Sequence, residues 1–177
     1  MKLIFEKYSN NPQDFHKFMM DILPDKFNIY KQNLINASQK MSDDNVHDLR
    51  VAARRFIAVL SLYKTIYPTL YFKMIIKMVR KNFKNLGLLR DTHIMLENCQ
   101  AMKIQFPLIY DFINYLLLKE KKMVQNFSQN LSDVDFNEIE GMMYFLIRIL
   151  KYEFPDIKPD FTIFENYINE NLKLLRV

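Results

Sequence analysis

Residues Val46–Phe56 read VHDLRVAARRF, and their pattern indicates the fold class of the chain. The apolar residues of this stretch recur every three or four positions, which is the period of one face of an α-helix. The cluster Ser42-Asp43-Asp44 just before it supplies side chains that favour a helix N-terminus. We therefore predict a helix from this cluster to about Tyr67. Its expected buried face consists of Leu49, Ala53, Phe56, Leu60 and Tyr63.

Around this stretch lies a block of one-sided charge. Between Asp48 and Asp91 the chain carries ten basic residues and no acidic one, while the rest carries fifteen basic and twenty acidic residues. The net charge of +5 is therefore a block of +10 set against a background of −5. Because like charges repel one another, such a block indicates an anionic partner. The ten residues are Arg50, Arg54, Arg55, Lys64, Lys73, Lys77, Arg80, Lys81, Lys84 and Arg90.

Helical spacing continues along most of the chain. With only two glycines in 177 residues, the sequence offers little material for hairpin turns or a glycine-rich phosphate loop, so we predict an all-α protein. Pro24 is interpreted as a first-turn residue that opens a new helix, and Gly87 as the residue just past a helix end. The predicted helices span about 14–23, 25–41, 42–67, 68–86, 91–102, 107–130, 132–154 and 162–176, with at most the first five residues as a strand.

The same composition limits the compartment and the cofactors. The N-terminal apolar run is too short for a signal peptide, and no uncharged stretch is long enough to span a bilayer. The single cysteine, Cys99, allows no internal disulfide and is expected to be a small buried residue. We expect a cytoplasmic protein without a membrane contact or a cofactor.

Two consecutive predicted helices each carry a basic stripe that covers about 60° of the helix circumference. The first stripe is formed by His47, Arg50 and Arg54. The second is formed by Lys73, Lys77, Arg80 and Lys84, with Lys81 beside it. Helices joined by a short loop usually pack antiparallel, so we expect both stripes to face a common groove, with Arg55 off the stripe and solvated.

Such a groove suits a polyanion with many equivalent phosphates. Arginine holds phosphate with a bidentate fork, and lysine acts as a mobile point charge. A single basic stripe is usually only the solvated face of a helix. Two adjacent stripes without acidic partners favour binding over that simpler interpretation.

Two motifs in this region resemble a known family. Residues Val46–Phe56 are close to V-H-D-M-R-V-A-T-R-R-L, the opening motif of the CHAD family, a histidine-containing α-helical domain. Residues Leu86–Ile94, LGLLRDTHI, are similar to its second motif, L-G-x-x-R-D-x-D-V, at the expected distance downstream. The resemblance is clearest over 46–96. Two departures are Ile57, where the family often has arginine, and His93, where it often has aspartate.

The resemblance implies an all-helical fold with two similar helical-bundle halves that bind inorganic polyphosphate in a basic central groove. It places His47, Arg50 and Arg54 on the basic positions of the first motif, and Arg90 on the second. Asp91 is expected to be the structural partner of an arginine. From the helix between the motifs, the expected binding residues are Lys73, Lys77, Arg80, Lys81 and Lys84.

The second half of the family motif is less complete in this chain. Its pattern resembles H-x-x-R-x-x-x-K-x-x-R-Y, and the best counterpart starts at Gly141, where the family has histidine. Arg148, Lys151 and Tyr152 remain, so the first two are added to the expected binding residues. We therefore predict one domain over 1–177, an antiparallel bundle of two unequal pseudo-symmetric halves, 1–102 and a shortened 103–177, around a basic groove.

The expected function is non-catalytic binding of inorganic polyphosphate or a similar phosphate-rich polyanion. Two alternatives stay open. One is nucleic-acid binding, which the charge would serve although no known module is present. The other is histidine phosphotransfer at His47, whose surroundings nearly match the H-x-L-K-G pattern. No carboxylate pair or nucleophile–histidine arrangement indicates an enzyme, and the three histidines share no metal-ligand spacing.

Overall fold

This computed structural model describes residues 12–67, 69–132 and 136–153, together with 162 and 166. Most of these residues are in helices. We number the α-helices in chain order, and a short 3-10 helix at Pro107–Ile109 precedes the fourth. They are α1 (Pro12–Gln39), α2 (Asp43–Ile66), α3 (Leu70–Met102), α4 (Tyr110–Ser132) and α5 (Phe136–Glu153). The described residues contain no strand, so the all-α prediction is confirmed. None of the described helices is apolar enough over a sufficient length to cross a membrane.

The chain divides into two compact units, each assembled from separate segments. The first unit contains residues 1–28, 55–77 and 137–177, and the second contains 29–54 and 78–136. Each unit is described by itself below.

The first unit is held together by an aromatic core. The ring of Phe27 on α1 lies 5.6 Å from that of Phe56 on α2, and Tyr63 lies 6.0 Å from Phe72 on α3. These are ordinary distances for stabilising aromatic pairs. Helix α5 adds a buried stripe at three- and four-residue spacing, formed by Ile139, Met143, Leu146 and Leu150.

The second unit contains the start of α2 and most of α3. Val46 and Leu49 on α2 are buried, as are Val79 and Leu86 on α3. At its far end, Cys99 belongs to a small apolar cluster with Leu96, Ile113 and Leu116, as expected for a lone buried cysteine.

The N-terminus of α2 is where the sequence predicts it. The Ser42 hydroxyl accepts a hydrogen bond from the backbone N–H of Asn45 at 3.4 Å, which is the usual N-cap contact. The Asn45 side-chain amide donates to the carbonyl of Lys40 at 2.8 Å and closes the short connection from α1. The whole predicted apolar face of α2, from Leu49 to Tyr63, is buried.

The predicted break at Pro24 is wrong, because α1 runs through it without interruption. A proline inside a helix removes one backbone hydrogen bond and crowds the preceding turn. Here Leu23 is buried in the first unit, and Tyr30 and Leu34 are buried in the second. A continuous helix keeps both apolar segments in place, which offsets the local cost of the proline.

The predicted helix end at Gly87 is also wrong, since α3 continues to Met102 and includes the segment predicted as a separate helix. Gly87 has no positive φ, so it does not act as a helix cap. Leu86, Leu89, His93 and Leu96 are spaced three, four and three residues apart and are all buried. This uninterrupted buried stripe carries the helix past the glycine.

The predicted helices 107–130 and 132–154 correspond to α4 and α5, while α4 is preceded by the 3-10 turn that starts at Pro107. The possible N-terminal strand at 1–5, the Pro155–Asp160 loop and most of the predicted helix at 162–176 lie outside the described residues.

Candidate anion-binding site

The first basic stripe lies on the part of α2 that belongs to the second unit. His47 and Arg54 are exposed, whereas Arg50 is half-buried between them. All three are carried by a helix whose opposite face is anchored in the core. Their spacing on a packed helix, and not a flexible loop, determines where the charges stand.

Arg50 approaches α3 at its glycine. A Cβ atom added to Gly87 would lie 3.3 Å from Nη1 of Arg50, which is tighter than most real contacts of a Cβ atom. A larger side chain at this position would therefore push the guanidinium away. The glycine is needed for a close approach, which is a different role from the helix end that the sequence indicates.

The cations Arg50, Arg54 and Arg90 form a group that we call the basic cluster. Partial burial lowers the pKa of Arg50 first, and the neighbouring positive charges of Arg54 and Arg90 lower it further, while Asp91 opposes them. The guanidinium remains charged, since arginine does not lose its proton in proteins. Its lowered pKa shows that the surroundings disfavour a positive charge, and a bound anion would relieve that cost.

Asp91 acts on Arg50, which agrees with the expectation that it is the partner of an arginine. Arg90 is the arginine of the cluster that lies on α3, and it pairs with a different carboxylate. Its Nη1 atom forms an ion pair with Oδ1 of Asp43 in the first turn of α2. Helix α3 therefore meets α2 both at Gly87 and at Arg90.

Asp43 also lies at the start of a chain of contacts that we call the Asp43 network. Nδ1 of His93 lies 3.1 Å from Oδ1 of Asp43, and Nε2 of His93 lies 2.9 Å from Oε1 of Glu120 on α4. The imidazole is buried, with 7% of the residue exposed. The Nε2 contact with Glu120 is a hydrogen bond, whereas Nδ1 is close to Asp43 but makes no hydrogen bond within the described part of the chain. Within the second unit, the network links α2, α3 and α4 around one histidine.

The network lowers the pKa of Asp43. The largest cause is the hydrogen bond from Arg90, and partial desolvation opposes it. The charges of Arg90, His93 and His47 lower the pKa further. Asp43 thus stays ionised and holds Arg90 on the α2 side of α3, while it neutralises part of the charge of Arg90.

An open pocket of about 320 Å³ adjoins the Asp43 network. Three carboxylates line it, those of Asp43, Glu97 and Glu120. A polyanion would be repelled there, so this pocket does not belong to the candidate anion site. Among the described residues, no group of three or more His, Cys, Asp and Glu side chains is arranged to hold a metal ion.

The remaining predicted cations are distributed over both units. In the second unit, Arg80 and Lys81 on α3 are exposed, and the side chain of Lys84 lies outside the described residues. In the first unit, the exposed predicted cations are Lys73, Lys77, Arg148 and Lys151. The ammonium of Lys151 lies 5.4 Å from the centre of the Tyr152 ring, which gives it a cation–π contact.

Sequence reasoning missed three residues of this region. Asp43 is interpreted in the sequence only as part of a helix cap, Glu120 carries no motif, and His93 is noted only as a departure from aspartate. One signal was available: a histidine in the apolar stripe of α3 must find polar partners when it is buried. The sequence does not indicate which residues those partners are.

Taken together, these features define a helical protein with an arginine cluster on α2 and α3 in its second unit. The CHAD domain family model matches residues 30–115. This segment includes α2, α3 and the two motifs, and its match confirms the predicted resemblance to the CHAD family. No curated protein and no solved structure was found to match the chain significantly.

Proposed function

We propose that this protein binds inorganic polyphosphate, without cleaving it, through the basic cluster and the exposed cations near it in sequence. The observation that carries the proposal is the environment of Arg50, which is half-buried beside Arg54 and Arg90. On a basic face that is only solvated, the cations need not lie close to a partly buried arginine, where they repel one another. An anion placed against this cluster removes the repulsion.

The family supports the same ligand class. The match to the CHAD family model implies polyphosphate binding, and the matched residues 30–115 contain nine of the eleven predicted binding residues. A chain of identical phosphates suits the site because each arginine can take two oxygens of one phosphate. We also propose that both basic stripes face a common groove that holds the ligand.

The contributions of the predicted residues should differ. Arg50 and Arg54 are the proposed principal contacts, with His47 one turn away. Asp43 neutralises part of the charge of Arg90, so we expect Arg90 to contribute less. Lys73, Lys77, Arg80, Lys81 and Lys84 on α3, with Arg148 and Lys151 on α5, would add further charge along a long ligand.

The experiment is a binding titration with polyphosphates of defined length. Replacing Arg50 or Arg54 by alanine removes a charged hydrogen-bonding group and should weaken binding about 10-fold or more each. Arg55→Ala is the matched control, since Arg55 is an exposed arginine on the same helix but off the stripe. Equal losses for all three variants would refute the assignment of the stripe.

Two further measurements separate the alternatives. Polyphosphate should outcompete single-stranded DNA or RNA of equal charge, and the reverse order would favour nucleic-acid binding. Incubation with the protein should release no free phosphate from the chain, and steady release would show that the protein is an enzyme. For phosphotransfer, labelling of His47 by acetyl phosphate is the corresponding test.

A further inference from the structure

The first half of α4 is apolar on nearly every side. Seven of the nine residues in Tyr110–Leu118 are apolar. A helix with this composition is normally covered by protein all round. Of these seven, only Ile113 and Leu116 are buried. The others are exposed, namely Tyr110, Phe112, Tyr115, Leu117 and Leu118.

One line of exposed residues on this helix has a regular order, and we call it the α4 stripe. It consists of Asp111, Tyr115, Leu118 and Lys122, spaced four, three and four residues apart. At about 100° per residue, the four lie within about 60° of one another. They lie about 160° around the helix from the side that carries Ile113 and Leu116. The α4 stripe therefore faces away from the core of its own unit.

The α4 stripe is complementary to itself. The midpoint between Asp111 and Lys122 is the same as the midpoint between Tyr115 and Leu118. A second α4 helix that runs antiparallel about this point sets each tyrosine against a leucine and each aspartate against a lysine. Twofold symmetry requires this kind of pattern, in which residue i contacts j and j contacts i.

We propose that the occupant of this face is a second copy of the same chain, which docks α4 against α4 in an antiparallel pair. Charge selects the arrangement, because the parallel pairing would place Asp111 against Asp111 and Lys122 against Lys122. The apolar centre supplies attraction, and the charged ends fix the direction and the register.

Exposed apolar residues surround the α4 stripe. Around the stripe, eight large apolar residues between Ile104 and Leu118 are exposed, and two of them, Ile104 and Leu108, are 87% and 96% exposed. At the usual size of such side chains, the eight present on the order of 900 Å². A standard interface uses about 800 Å² on each partner. Only part of the exposed apolar area faces the same way as the α4 stripe, so a weak and reversible dimer is the expected product.

The test is sedimentation velocity on the full chain, without polyphosphate, from about 1 to 500 µM. We expect the wild type to pass from monomer to dimer in this range. Asp111→Lys and Lys122→Asp each place like charges together at both ends of the pair, and each should raise the dimer Kd about 10-fold. The double variant restores opposite charges with their positions exchanged, and its Kd should return to within about 3-fold of wild type.

A pair of matched substitutions separates this surface from general stickiness. Leu118 and Tyr144 are 64% and 63% exposed, and Tyr144 lies on α5 in the first unit. Leu118→Arg should abolish the dimer, whereas Tyr144→Arg should leave it unchanged. Thermal melts establish that each variant is folded, since all four positions are exposed.

Three results would each overturn the proposal. One is a wild type that stays monomeric throughout, which would leave the face to a different protein. Another is a double variant no better than its single parents. The third is a Leu118→Arg variant that dimerises as well as wild type.

Discussion

At the scale of single residues, the two arginines at positions 50 and 55 show how environment divides identical side chains. Both lie on α2, yet Arg50 is half-buried among other cations and Arg55 is exposed. The helical period of the sequence is enough to place them on different faces. The sequence alone does not show that Gly87 makes room for Arg50 or that Asp43 holds Arg90.

Substitution of Gly87 tests the close approach to Arg50. Gly87→Ala adds a Cβ atom 3.3 Å from Nη1 of Arg50, so the guanidinium must move by a few tenths of an ångström. We expect polyphosphate binding to weaken about 3-fold to 10-fold, since a charged hydrogen bond is lengthened. Isothermal titration calorimetry measures the change.

The control for this prediction is Gly141→Ala. Gly141 also lies inside a helix, but apart from its chain neighbours and the backbone of its own helix, no atom lies within 4 Å of a Cβ atom added there. Alanine should raise the free energy of unfolding by about 1 kcal/mol through helix propensity and leave binding unchanged. A loss of binding in this variant, or none in Gly87→Ala, would contradict the proposed role of Gly87.

Acid should act on the Asp43 network in a defined direction. The hydrogen bond from Arg90 lowers the pKa of Asp43 below its unfolded value of about 3.9. The stabilisation by the ionised carboxylate is therefore present above about pH 4 and is lost as the pH falls through the folded pKa. Urea unfolding of wild type and Asp43→Asn between pH 3 and pH 6 measures it.

We expect Asp43→Asn to be less stable than wild type at pH 6 and the difference to shrink as the pH is lowered toward 3. Asp44→Asn is the control, since Asp44 is exposed in the same helical turn. A difference that stays constant over the whole range would show that the charge of Asp43 is not what stabilises the network.

At the scale of helices, the structure shows how burial overrides local signals. Pro24 and Gly87 are both residues that end helices in many proteins. Both lie inside continuous helices here, since apolar residues on each side of them are buried. Periodicity predicts that these segments are helical. It does not predict that Pro24 and Gly87 lie inside the helices, because helix propensity is a weak local preference that burial overrides here.

Replacement of Pro24 measures the cost that burial offsets. Pro24→Ala restores one backbone hydrogen bond within α1 and removes the clash of the ring with the preceding turn. We expect the free energy of unfolding to rise by about 1 to 3 kcal/mol, as measured by chemical denaturation. Asn33→Ala, in the same helix, should change stability by less than about 1 kcal/mol. If Pro24→Ala is no more stable than wild type, the proline does not destabilise α1.

At the scale of the whole molecule, charge distribution governs how the protein meets its ligand. The +10 block covers most of α2, the connection to α3 and the first two thirds of α3, and the acidic excess lies elsewhere in the chain. A long polyphosphate chain can neutralise several of these cations at once and release its counterions. Affinity should therefore depend steeply on salt.

The salt dependence gives a number of contacts. By analogy with single-stranded nucleic acid, each neutralised phosphate adds about 0.7 to the slope of log affinity against log salt concentration. Five to seven contacts predict a slope of about −3.5 to −5. Fluorescence titrations from 50 to 400 mM salt measure the slope. In the Arg50→Ala variant the slope should be less negative by about 0.7, which corresponds to one lost contact. An affinity almost independent of salt would contradict an electrostatic mechanism.

The helical character, the buried face of α2, the charge block and the resemblance to the CHAD family could all be predicted from the amino-acid sequence. Periodicity, charge and motifs are properties of neighbouring residues, so they can be identified without coordinates. The coordinates were needed to show that α1 and α3 continue past Pro24 and Gly87, and that Arg90 contacts Asp43 and His93 contacts Glu120. Those partners lie 47 and 27 residues away in the chain, and packing of the helices, rather than any local pattern, brings them together.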